Sequence, residues 1–242
     1  MKSGSIDGAR MKKLALAALA VLAISPLWAM EDHEPSVWAV KVDELEGHRQ
    51  SGGSGLAWHV AVGGGTDLDQ VWLETEGERT GGSTDEHEIS LYYRRALTPF
   101  WNLHAGWRGD RGHGAGRDWL LVGLRGDAPF HIDTGLDLYV GDNDRAALEV
   151  ELEKVFRVTR RWLFVPGFEA TFHSRDDAAA ATGSGLSRIE AAVRLGYELT
   201  PRLVPYAGLV WEKNQGNTAR YLRDEGRRTE AGRIVLGVRF WL

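Results

Sequence analysis

From about residue 36 onward one constraint recurs: apolar and polar side chains alternate with a period of two, over runs of roughly ten residues broken by Gly, Pro, Asp and Asn. The segment QVWLETEGER, residues 70–79, states the problem. Glu74, Glu76 and Glu78 fall on one side of an extended chain, and Val71, Leu73 and Thr75 fall on the other. LAWHVAV (56–62), ISLYYRRAL (89–97), IDTGLDLYV (132–140), LEVELEKV (148–155) and RIVLGVRFWL (233–242) repeat the pattern, while helical periodicity is scarce. Twelve candidate strands result, near 36–46, 55–63, 69–79, 86–97, 100–109, 117–126, 130–141, 145–157, 161–173, 185–199, 202–213 and 229–242.

The links between these strands alternate in length. Short ones (GGTDLD, TP, DAP, VTR, TP) take turns with longer polar ones such as GHRQSGGSG, TGGSTD, GDRGHGAG, SRDDAAAATGSG and QGNTARYLRDEGRR. Short turns at one end and longer loops at the other describe an up-and-down barrel of the outer-membrane type, with both termini on the short-turn, periplasmic side. A secreted β-sandwich shares the many short strands, so the faces must decide.

The apolar row is large and aromatic: Trp101, Leu103 and Trp107; Trp162, Phe164, Phe168 and Phe172; Leu236, Val238, Phe240 and Leu242. Ten tryptophans, several at strand ends, suit interfacial girdles. The strands cluster near the roughly 9–11 residues that a tilted transmembrane strand needs, and the sequence closes on the aromatic strand VRFWL. The expected fold is therefore all-β, an up-and-down antiparallel outer-membrane β-barrel of about twelve strands, ten at the fewest. It would sit in the cell outer membrane with lipid against the apolar row.

The one continuous apolar run, LALAALAVLAISPLWA after Met11-Lys12-Lys13, has the n-region, h-region and small terminal residue (Ala29) of a secretory signal. The expected division is a signal peptide over 1–29, a short acidic segment over 30–35 and the barrel over 36–242. Removing 1–29 deletes Lys2, Arg10, Lys12, Lys13 and Asp7, which takes the formal charge from -5 to -8 and argues against nucleic acid as a partner. There is no cysteine, and the three methionines are Met1, Met11 and Met30, so the barrel itself carries no sulfur ligand.

With the apolar row on lipid, the charged row must line the lumen, because an Arg or Lys at the bilayer midplane costs roughly 2–4 kcal/mol. That row holds Glu74, Glu76, Glu78, Glu88, Glu149, Glu151 and Glu153, the arginines Arg94, Arg108, Arg188, Arg194, Arg233 and Arg239, and, by phase, His59, His104 and His173. The bland account is mutual ion pairing inside a narrow barrel. Runs of like charge such as Glu149, Glu151 and Glu153 nevertheless call for cations among them. Imidazole with carboxylate suits Cu(II) or Zn, whereas Cu(I) prefers the sulfur donors that are missing here.

A serine hydrolase is the rival from another class. His173 and Ser174 are adjacent and point to opposite faces, which leaves only a cross-strand pair such as His104 or His59 with Ser90. GSGLS at 183–187 reads as a turn, since no strand-turn-helix surrounds it.

Several stretches resemble the copper resistance protein B family of Gram-negative outer-membrane proteins. They are VKVDELE (40–46), VWLETEGER (71–79), LYYRRALTPFWNLHAGWR (91–108), GSGLSRIEAAVRLGYEL (183–199), PYAGLVWEKNQGNTA (205–219) and GVRFW (237–241). The resemblance implies a non-enzymatic barrel in copper binding, homeostasis and resistance, with copper ions and periplasmic copper-binding proteins as partners. Family members often carry a Met-, His- and Asp-rich segment ahead of the barrel. Here it is reduced to MEDHEP, leaving His33 beside Glu31, Asp32 and Glu34. The expected metal ligands are the seven lumen glutamates, His59, His104, His173 and His33, with Cu(II) favoured over Cu(I). A small cation-selective channel or structural barrel without a metal role is the alternative, and an outer-membrane acyl hydrolase is the third reading.

Overall fold

The computed structural model describes residues 36–50, 53–80, 83–112 and 116–242. The expected leader, the acidic segment and His33 lie outside the described residues.

Thirteen strand segments pair antiparallel. They are β1 (Val37–Gln50), β2 (Gly53–Gly65), β3 (Asp69–Thr80), β4 (Ser83–Ala96), β5 (Trp101–Gly112), β6 (Arg117–Ala128), β7 (Ile132–Gly141), β8 (Ala146–Glu153), β9 (Phe156–Arg157), β10 (Trp162–His173), β11 (Gly185–Tyr197), β12 (Leu203–Asn214) and β13 (Glu230–Trp241). β8 and β9 are one wall strand: both pair with β10, and the break at Lys154 and Val155 faces Pro166, which has no N–H to give the ladder. β13 returns to pair with β1 from Lys41↔Trp241 to Arg49↔Ile234, so the sheet closes into a twelve-strand barrel without a free edge.

Four of the short turns share one device. The hydroxyls of Thr66, Thr98, Thr159 and Thr200 each accept backbone N–H groups two or three residues on, at 3.0–3.3 Å. This is the ST-turn, which closes a tight loop without glycine. The fifth turn, the three residues 129–131, instead places Phe130 (φ 69) and His131 (φ 55) in the left-handed region, which tight hairpin connections use.

At the other end the structure corrects the expected loops. Residues 47–50 and 53–55 are strand, paired as His48↔Gly55, Arg49↔Ser54 and Gln50↔Gly53, and β3 and β4 likewise extend to Thr80 and from Ser83. Gly, Ser and Thr there break the alternation, because strand beyond the bilayer has no apolar side to present. The long connections that remain are 174–184, with a short 3-10 turn (Ala178–Ala180), and 215–229, which holds a helix, α1 (Gly216–Asp224). α1 buries Thr218, Ala219 and Leu222 and carries Arg223 in its last turn, where a cation suits the helix dipole.

The outer face is apolar from strand to strand. Val71 and Leu73 are about half exposed, and Leu91, Leu103, Leu136, Phe164, Phe168, Leu195, Leu209 and Leu236 continue the row, the surface a bilayer covers. Trp38, Trp162 and Trp211 stand exposed as a girdle requires, but Trp72 and Trp119 do not. Both are buried in the lumen with Tyr92, Leu121 and Tyr139, their indole N–H groups donating to Gln70 (3.0 Å) and Asp110 (2.6 Å). Their place in the alternation is that of the polar row, and an indole with a hydrogen-bond partner fills lumen space well.

The candidate functional site, an ion-paired lumen

Three cavities that share lining residues occupy the lumen. One of about 340 Å³ lies toward the short-turn end, one of about 120 Å³ in the middle, and one of about 310 Å³ at the long-loop end.

In the first, Arg239 forks onto Glu153 at 2.8 and 2.9 Å and donates to the Asp43 carbonyl at 3.2 Å, a bidentate geometry that fixes both partners. Lys41 and Arg94 stand over the Trp72 ring, 5.2 and 4.6 Å from its centre. A chain of ionisable side chains crosses the lumen here. His59 contacts Glu74, Arg125 reaches Glu74 at 3.4 Å and Asp137 at 3.1 Å, and Asp137 stands 2.7 Å from His104 Nε2. His104 is 1% exposed, with Tyr92 packed on its ring and Gly123 opposite, where a Cβ would overlap the Asp137 carboxylate and the imidazole.

In the middle, Arg194 bridges Glu44 and Glu46, and Arg233 joins Glu78 to Glu190 (3.1 Å) and Glu212 (3.7 Å). His48 Nε2 lies 3.2 Å from Glu78 without hydrogen-bond geometry, so this buried nitrogen has no hydrogen-bond partner among the described residues. Glu76 and Glu151 are exposed to the lumen and make no salt bridge or hydrogen bond with a described residue. The residues around this cavity include nine carboxylates and four arginines.

Toward the long loops the balance reverses. Eight arginines and five carboxylates line the upper cavity. Arg108 holds Glu88, Asp110 (2.7 Å) and Glu149 (3.4 Å), and lies 4.5 Å from the centre of the Tyr139 ring. Arg117 and Arg145 both clamp Asp177 of the 174–184 connection. Burial alone would raise that carboxyl, but the two guanidinium hydrogen bonds outweigh it and hold Asp177 below the usual aspartate range. Asp176 accepts from the Ser184 N–H at 2.7 Å and from Asn217 of α1 at 3.0 and 3.1 Å, and these bonds likewise keep its carboxyl low. Thr218 accepts from the Gly183 N–H at 2.7 Å. Loop and helix thus dock on each other across the mouth.

The sequence-predicted residues Glu74, Glu76, Glu78, Glu88, Glu149, Glu151, Glu153, His59, His104 and His173 all line these cavities or the ion-paired chain between them. They are dispersed along the lumen, and among the described residues no group of three or more His, Asp or Glu side chains is placed to hold one metal ion. Sequence reasoning missed Arg125 and the trio Glu44, Glu46 and His48. The trio turns inward because β1 bulges between Val42 and Glu44, which shifts the side-chain parity by one. The jump of the apolar phase from Val40 and Val42 to Leu45 is the sequence trace of that bulge.

It also missed a His–Ser contact that the fold creates. His173 Nδ1 lies 2.9 Å from Ser187 Oγ, brought there by a second bulge, on β11, in which Ser187 is the extra residue opposite Thr171 and Phe172 of β10 and has no partner in the ladder. Ser187 is 3% exposed and its hydroxyl proton goes to the Thr171 carbonyl at 2.9 Å. His173 must then donate to Ser187, which is the reverse of the base role that a serine nucleophile needs.

A closed antiparallel barrel with an apolar exterior and a charged interior is an outer-membrane barrel of porin-like architecture. Two solved porins share it: NanC, with TM-score 0.56 and 17% identity over 81% of this chain and 98% of that one, and KdgM, with TM-score 0.51 and 13% identity over 84% and 98%. The chain belongs to the copper resistance protein B family, whose description, Copper resistance protein B precursor (CopB), matches residues 36–242. Relatives include the Copper resistance protein B homolog of Pseudomonas syringae pv. tomato (strain ATCC BAA-871 / DC3000), 35% identical over 82% of this chain and 68% of that protein. Copper resistance protein B of Escherichia coli is 32% identical over 86% and 71%.

Proposed function

We propose that this barrel sits in the outer membrane, with its long loops outward, and that its lumen attracts and weakly holds Cu(II) as part of copper resistance. One observation carries the reading: a carboxylate surplus at mid-lumen in which Glu76 and Glu151 face open space without an arginine partner. A low-dielectric wall around such a surplus focuses its field and concentrates cations. The imidazoles of His48, buried, and His59, partly buried, border the same cavity, and nitrogen with oxygen donors fits Cu(II) better than Cu(I). Dispersed ligands fit loose, exchangeable binding better than a closed site, and the short-turn mouth would hand the ion to periplasmic copper-binding proteins.

Cu(II) titration of the folded barrel followed by EPR tests this. Saturable nitrogen and oxygen ligation is expected, weakened about tenfold in Glu76→Gln/Glu151→Gln, as loss of two nearby charges implies. The absence of saturable binding, or an unchanged affinity in that variant, removes the copper-holding role and leaves the cation channel, which the shared cavity walls favour.

A further inference from the structure

The outer wall at the short-turn end is not uniform. Between residues 154 and 164, KVFRVTRRWLF, there are four basic side chains and no acidic one. The neighbouring β11–β12 turn adds Arg202, whereas the link from β2 into β3 carries Asp67 and Asp69, and His131 in the turn after β6 pairs with Asp127. Among the described residues, basic charge without compensation is thus confined to one sector of the rim.

The same sector is built as an aromatic platform. Phe156 packs on Phe164 at 6.1 Å between ring centres, and Trp162 packs edge-on against Tyr197 at 5.0 Å. These rings occupy the exposed, apolar phase of the wall. Lys154 Nζ stands 4.9 Å from the Phe156 ring centre, and Arg161 donates to the Tyr197 hydroxyl at 3.1 Å. Both cations are thereby held on the outer face at the level of the aromatic belt, not in the lumen. Arg160 at the turn tip is exposed and has no side-chain partner among the described residues. Val155 and Val158 are exposed beside them.

Cations fixed over aromatic rings, with bare apolar wall beside them, match a molecule that has an anionic phosphate head and acyl tails. We infer that this sector binds an anionic diacyl phospholipid of the leaflet at the short-turn end. Lys154, Arg160 and Arg161 meet its phosphate, and Phe156, Phe164 and Trp162 lie along its chains. Charge complementarity selects the occupant: a zwitterionic lipid would bring an ammonium into a sector that has no unpaired Asp or Glu side chain among the described residues to receive it. Glu198, whose N–H bonds to the Arg161 carbonyl of this turn, is already paired with Arg157 at 2.7 Å.

The test is native mass spectrometry of the folded barrel released from mixed micelles of phosphatidylglycerol and phosphatidylcholine matched in acyl chain, with heat-modifiable gel migration verifying the fold of each variant. Wild type should retain phosphatidylglycerol preferentially. Lys154→Gln/Arg160→Gln/Arg161→Gln should lose about tenfold in that preference, in line with the pull of several basic residues on an anionic surface. The single change Arg160→Gln, at a side chain that holds nothing in the fold, should lose part of it, and Arg95→Gln at the short-turn end of β4 none. Equal retention of both lipids, a triple variant that binds as wild type does, stronger retention of lipopolysaccharide, or full competition by soluble glycerol phosphate would each overturn the assignment.

Discussion

At the scale of single residues, the lumen works by neutralisation in chains. Arg125 is the link between Glu74 and Asp137, and through them between two of the expected histidines. Both carboxylates are buried, so removing the guanidinium leaves two uncompensated charges in the wall. Arg125→Met should cost about 3–5 kcal/mol in urea unfolding of the lipid-embedded barrel. Adding Glu74→Gln and Asp137→Asn to it should recover most of that loss, whereas a single-variant cost below about 1 kcal/mol would mean that water already screens the chain. Arg125 is also where the sequence was least informative. LLVGLRGDA continues the alternation, but nothing local distinguishes an arginine that balances two distant carboxylates from one at a wet strand end.

At the scale of elements, the cap over the lumen is held by contact between two connections that the sequence presents only as polar loops. Gly183 lies so close to α1 that a Cβ on it would sit 2.3 Å from the Thr218 backbone nitrogen. Gly183→Ala should therefore push α1 off its seat, at about 1–3 kcal/mol for an overpacked contact. Trypsin cleavage after Arg220 or Arg223, both exposed, should then accelerate while the barrel stays intact on gels. An unchanged cleavage rate would show that the helix is not anchored through Gly183. The strands were legible because their alternation repeats in every hairpin. α1 was not, because nine residues offer only about two and a half turns of periodicity and its burial depends on what the 174–184 connection places beside it.

At the scale of the whole molecule, the lumen is polarised along its axis, cationic at the long-loop mouth and anionic from the middle to the short-turn end. A conducting barrel with that profile should favour cations and pass unequal currents at opposite voltages in planar bilayers. Glu76→Gln/Glu151→Gln should reduce the cation preference, and raised salt should flatten the rectification as the Debye length shrinks. Symmetric, anion-selective current would contradict the charge profile.

By itself the sequence determined the period-two alternation, the strand count and the inward place of Glu74, Glu76 and Glu78, since a strand's side-chain period is fixed by backbone geometry and a closed barrel has only two faces. It also carried the family, in motifs spread from residue 40 to residue 241. Tertiary structure alone decided which charges meet. Pairing across a lumen joins side chains as far apart in the chain as Arg194 and Glu46, or Arg239 and Glu153, and two bulges shift parity so that Glu44, Glu46 and His48 face inward and Ser187 is buried. Closure sets those distances, and no local pattern encodes them. The row that opened the problem is divided by that closure: Glu74 and Glu78 are tied to histidine and arginine, and Glu76 is left to the open lumen.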